Sequence, residues 1–189
     1  MSPPLLAPTR APPRSHRPSE PGPPTAPEFL LGPRLERAEG FDRVFGVVRD
    51  AVRRALGVER PGLGLALSNL PPQLGAYWQV AGNLIVLNEG LVETMRAAAD
   101  TPLQLNAFVY VILAHEYLHS LGYLDEREVR RVTAYVTRAA FGPDHLATRM
   151  AEGDLWQMYP FLAQAPRGDG RKFRVVRGFD LASTQHYIR

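Results

Sequence analysis

The chain has 189 residues, 45% of them apolar, which is enough for one compact core and too few for two, so one domain plus a tail is expected. Its net charge of +3 rests almost wholly on arginine, Lys172 being the one lysine, and part of it sits near the N-terminus at Arg10, Arg14 and Arg17, so the charge does not by itself point to a nucleic-acid partner. The absence of cysteine excludes disulfides and thiolate metal sites, leaving His, Asp and Glu to hold any metal.

Eleven of the 18 prolines fall in the first 33 residues, where each removes a backbone donor and biases its predecessor toward extended conformations. Residues 1–28 are therefore expected to form a Pro-rich disordered tail, and 29–189 the folded domain. This stretch lacks the continuous apolar segment of a signal peptide, and no apolar run reaches the length of a membrane span. A cytoplasmic protein with no membrane contact is expected.

From Leu35 to Leu56 apolar residues recur at helical spacing (Phe41, Val44, Phe45, Val48, Val52), and Gly57 offers a stop. LGLALS, 63–68, reads as a short strand, and AYWQV and LIVLN read as a hairpin turning around Gly82 and Asn83. Asn88 can cap a helix from Glu89 to Ala98. Thr101, Pro102 and Gln104 supply an N-cap, an N1 proline and a capping-box acceptor for a long apolar helix ending near Gly122. Asp125 and Glu128 have capping-box spacing for a helix over 126–140, which Gly142 and Pro143 break before Asp144 caps another. KFRVVRGF, 172–179, alternates enough to be a basic edge strand. The order of elements predicts an α+β fold, a small mixed β-sheet packed on helices.

The long helix ends in HEYLH, 115–119. Residues i and i+4 stand one above the other on a helix, so His115 and His119 can converge on one zinc ion. Glu116, one step around, can reach a water in an open coordination position and act as general base. With 5 histidines and 11 glutamates in the chain, HExxH is expected by chance only about 0.007 times. The apolar turns before it also place it in an interior where unpaired polar groups are costly. A third ligand is needed. Gly122 can take a left-handed conformation that turns the chain back, and Asp125 is the residue such a turn delivers. Glu128 and Glu126 are the rivals, and Asp125 itself is also wanted as a helix cap.

HEYLHSLGYLD resembles the HExxHxxGxxH motif of the metzincin branch of zinc peptidases, with aspartate in place of the third histidine. That resemblance implies a zincin-like fold, Zn2+ held by His115, His119 and Asp125, and hydrolysis of a peptide or protein substrate with Glu116 as base. QMYP, 157–160, resembles the methionine turn beneath the metal in the same family, and in some members a tyrosine at the position of Tyr159 steadies the oxyanion. The strand LIVLN resembles the edge strand that borders the zincin cleft. In gluzincins, by contrast, a glutamate on the helix after HExxH completes the site. HEYLHSLGY also resembles the HGxLHLxGYDH motif of bacterial rRNA-maturation endoribonucleases, which lack the glutamate after the first histidine. Glu116 therefore favours peptide over RNA, and nucleic acid is not an expected partner. A non-catalytic intracellular zinc protein is the remaining alternative.

Overall fold

The computed structural model describes residues 31–171 and 173–179, so the expected tail at 1–28 lies outside the described residues, as do Lys172 and the last ten positions. Among the described residues the fold is α+β, as expected: seven α-helices and a 3-10 turn (Pro160–Gln164) around a mixed four-stranded sheet. The helices are α1 (Gly32–Glu36), α2 (Phe41–Leu56), α3 (Glu89–Ala98), α4 (Pro102–Ser120), α5 (Glu126–Phe141), α6 (Leu146–Glu152) and α7 (Leu155–Met158). The strands are β1 (Gly64–Ser68), β2 (Ala76–Trp78), β3 (Leu84–Asn88) and β4 (Phe173–Val175).

The centre of the molecule is α4. Thirteen of its 19 residues are buried, and a helix that is apolar all round is stable only when neighbours cover every face. Here α1, α2, α3, α5, α6, β2 and β3 all touch it. Phe45 of α2 meets the Tyr117 ring edge-on at 5.3 Å, and Phe141 of α5 meets Tyr110 likewise at 4.9 Å. Thr101 caps the helix by accepting from the backbone N–H of Gln104, whose own side chain accepts from Asp100 N. Among the described residues no helix is long and apolar enough to cross a membrane.

The sheet order is β2-β3-β1-β4, with β1 parallel to β3 and both outer strands antiparallel to their neighbours. In β1 and β3 the residues Leu65, Leu67, Ile85 and Leu87 face the main core, while Ala66 and Val86 close over Leu70 on the other side. Two strands buried on both faces belong inside a sheet, and LIVLN is accordingly internal rather than the edge strand expected for it. The edge beside α4 is β2. The basic strand β4 forms the opposite edge, where charge discourages further pairing.

The helix expected over 35–56 is two helices. Gly40 at φ 84 precedes α2, and the buried Asn106 of α4 donates to the carbonyls of Leu35 and Ala38, each at 2.9 Å, which ends α1. Asn88 and Asp125 cap α3 and α5 as their positions predicted. For α6 the cap is His145, whose Nδ1 accepts from Ala147 N at 3.1 Å, in place of Asp144.

Candidate metal centre

The C-terminal turn of α4 fixes the site. Gly122, at φ 101, lets Tyr123 N–H reach back to the Leu118 carbonyl (3.3 Å) while Gly122 N–H meets that of His119 (3.0 Å). This pair of bonds is the Schellman closure that a glycine after the last helical residue permits. It also brings the Tyr123 carbonyl to 2.8 Å from His119 Nδ1. A carbonyl only accepts, so Nδ1 carries the proton and Nε2 presents its lone pair inward, the arrangement of a metal-ligating histidine with its outer partner in place.

His115 and His119 point their Nε2 atoms at one another across 3.2 Å. The third group is Glu126, the first residue of α5: its carboxylate straddles the pair, Oε2 at 3.3 Å from His115 Nε2 and Oε1 at 3.2 Å from His119 Nε2. Ligands 2.0–2.1 Å from a common centre in a tetrahedron stand about 3.3–3.4 Å apart. The separations fall in that range, with each carboxylate oxygen facing one of the two histidines, and His115, His119 and Glu126 together can hold a metal ion.

Asp125 is placed differently from the expectation. Its Oδ1 accepts the N–H of Glu128 at 2.9 Å, so the carboxylate is turned onto the start of α5 as its N-cap. One short side chain does not serve both a helix start and the histidines, and the following residue takes the second role. The Gly122 turn reverses the chain so tightly that α5 opens directly beside the end of α4. Glu126, with a longer side chain than aspartate, reaches across.

Glu116 is only 7% exposed. Burial pushes its carboxyl up to about 7, against the opposing pull of His119 and of a hydrogen bond from the Trp78 backbone N–H. That N–H is free to turn toward α4 because Gly75 and Gln79 are the residues whose backbone groups pair with β3, through Asn88 N–Gly75 O (2.9 Å) and Gln79 N–Leu84 O (3.1 Å). Burial likewise lowers the pKa of His115. Glu126 opposes the shift, and His119 and Arg130 add to it. A neutral imidazole is the form that binds a metal.

Arg60 braces this corner from outside. Its guanidinium donates to the last carbonyl of α4, Ser120 O (2.6 Å), and to Gly82 O and Asn83 Oδ1 in the β2–β3 turn (both 3.0 Å), and it lies 5.3 Å over the Trp78 ring. Nothing in the local sequence marks it, since its hydrogen-bond partners are 22 to 60 residues away.

A cleft of about 570 Å³ opens beside His115, Glu116 and Glu126, between β2 and helices α4 to α7. Met150 of α6 lines it, whereas Met158 and Tyr159 of the expected methionine turn do not. The Met158 sulfur packs instead over Gly153, at a separation that leaves no room for a Cβ there, and Tyr159 meets Phe161. Comparison with protein-family models, with curated proteins and with solved structures gives no match to this chain.

Proposed function

We propose that the chain is a zinc-dependent metallopeptidase of the zincin type, with His115, His119 and Glu126 as the ligands and Glu116 as general base. The observation that carries this reading is the convergence of the His115 and His119 Nε2 atoms with the Glu126 carboxylate, at 3.2–3.3 Å, beside a buried carboxylate on the residue after His115. Two imidazoles and a carboxylate without any thiolate suit zinc. A ligand glutamate on the helix after HExxH is the gluzincin order, so the metzincin likeness of the motif ends at Gly122.

Zinc held by these groups would supply Lewis acidity, easing removal of a proton from water and favouring negative charge on a carbonyl oxygen. Glu116 receives that proton and passes it to the departing amine. The Trp78 N–H fixes the direction of its carboxylate, and the Tyr123 carbonyl fixes the tautomer and tilt of His119. Ala76 turns its backbone N–H and C=O away from β3, toward the cleft it lines, so an extended peptide can add to the β2 edge and lie across the histidines. The endoribonuclease alternative rests on the likeness of HEYLHSLGY, and beyond that motif the basic strand β4 is the one feature that pulls toward RNA. That strand is at the far edge of the sheet, where Arg174 pairs with Glu89 and the neighbouring Arg171 with Asp169.

The test is digestion of a peptide library by the zinc-loaded protein and its Glu116→Gln variant. The wild type should cleave and the variant, with zinc content unchanged, should not, because an amide keeps the shape but accepts no proton. Equal cleavage by both removes Glu116 as base, and cleavage of rRNA without peptide cleavage replaces this reading with the endoribonuclease one.

A further inference from the structure

The charges around the cleft are unequally occupied. Glu152 accepts from Arg138 at 2.9 Å, and Asp154 caps α7 by accepting from Trp156 N (2.9 Å) and Gln157 N (3.2 Å). Glu126 is turned to the histidines and Glu116 to Trp78. Arg130 and Arg131 also line the cleft, both exposed, and among the described residues neither has an ion-pair or hydrogen-bond partner. Arg130 stands four residues after Glu126 on α5, hence one turn along the same helix face, with Cβ atoms about 5–6 Å apart. The rest of the wall is mainly apolar, with Val111, Ile112, Met150 and Leu155 all buried, and carries the uncharged polar residues Gln73 and Thr133.

Arg34, Arg53, Arg60, Arg96, Arg138 and Arg174 are held by an acid or a carbonyl, and what separates Arg130 and Arg131 from other exposed arginines such as Arg54 and Arg127 is their place in the wall of the cleft. Two guanidinium groups on consecutive residues of α5, both lining the cleft beside a candidate reacting centre and without a partner among the described residues, are available to a ligand. The planar fork of an arginine matches a carboxylate, taking it through two parallel N–H donors.

We propose that Arg130 and Arg131 are specificity-determining residues that select a peptide bearing a carboxylate close to the scissile bond. The carboxylate belongs to an Asp or Glu side chain or to a free C-terminus. The proposal rests on the peptidase reading for the meaning of scissile bond, but the recognition itself is a binding property that is measured without turnover.

The experiment uses the full chain carrying Glu116→Gln, with zinc present, and fluorescence anisotropy of labelled peptides. Each peptide is made in four forms: with an internal Glu or its Gln counterpart, and with a free or amidated C-terminus. A carboxylate form should bind about tenfold more tightly than its neutral counterpart, and Arg130→Gln together with Arg131→Gln should erase that advantage while leaving the affinity of the neutral peptides unchanged. The advantage following the internal Glu identifies the side chain as the source, and its following the free terminus identifies the C-terminal carboxylate. Equal affinity of all four forms, an advantage that survives the double substitution, absence of peptide binding, or binding of a single-stranded RNA oligonucleotide in preference to every peptide overturns the proposal. Carboxylate-selective binding by this variant with no cleavage by the wild type upholds the recognition and overturns the peptidase reading.

Discussion

His145 joins two jobs in one imidazole. Its Nδ1 accepts the Ala147 N–H that opens α6, and its ring stacks on Phe141 at 4.7 Å, which explains why it displaces Asp144 as the cap. Burial holds its pKa below the ordinary value; Glu36 opposes the shift and Arg149 adds to it. A depressed histidine pKa means that the unfolded chain takes the proton first, so the stabilisation is complete above about pH 6.5 and is lost as pH falls from there toward the folded-state value. Protonation of Nδ1 also removes the cap acceptor. The variant His145→Asn puts a cap there that does not titrate. Thermal melts between pH 8 and pH 5 should therefore show the wild type losing stability relative to His145→Asn as pH falls below about 6.5. A constant difference across that range would contradict the account. A sequence shows two polar residues beside a helix start, but the choice between them was made by Phe141, which the fold brings under one of the two.

Elements whose signals are local were legible, and those whose boundaries depend on a distant partner were not. The caps at Asn88, Thr101 and Asp125 involve residues three positions apart and were read from spacing alone. The break between α1 and α2 was missed because its polar partner, Asn106, lies about 70 residues away, and apolar spacing runs across the gap without interruption. Replacing Asn106 by Ala leaves the Leu35 and Ala38 carbonyls without this donor, which should cost about 1–3 kcal/mol. Urea unfolding should show a lower midpoint with an unchanged slope. No change in the midpoint would mean that these bonds contribute nothing net. The mistaken edge strand has the same origin: β2 and β3 form a local hairpin, but the parallel pairing of β3 with β1 that moves LIVLN inside the sheet is a long-range event.

At the scale of the molecule, the candidate centre joins the end of one helix to the start of the next. That His115 and His119 come together was legible because one motif on one helix carries both. The identity of the third acid was not, since it depends on how tightly the chain reverses between Ser120 and Glu126 and on which of two adjacent carboxylates the new helix keeps as its cap. A ligand that binds only the folded chain stabilises it, so zinc at about 100 times its dissociation constant should add about 2.7 kcal/mol, and a chelator should withdraw it. The most direct test of the centre is calorimetric titration of zinc into the wild type, Glu126→Ala and Asp125→Ala, with the melting temperature of each metal-free protein measured beside it. The wild type should take one zinc per chain. Glu126→Ala should bind it at least about 100-fold more weakly, while Asp125→Ala should keep its zinc affinity and lose about 1 kcal/mol of stability with its cap. A wild type that takes up no zinc, or an Asp125→Ala that loses zinc while Glu126→Ala retains it, would contradict the centre described.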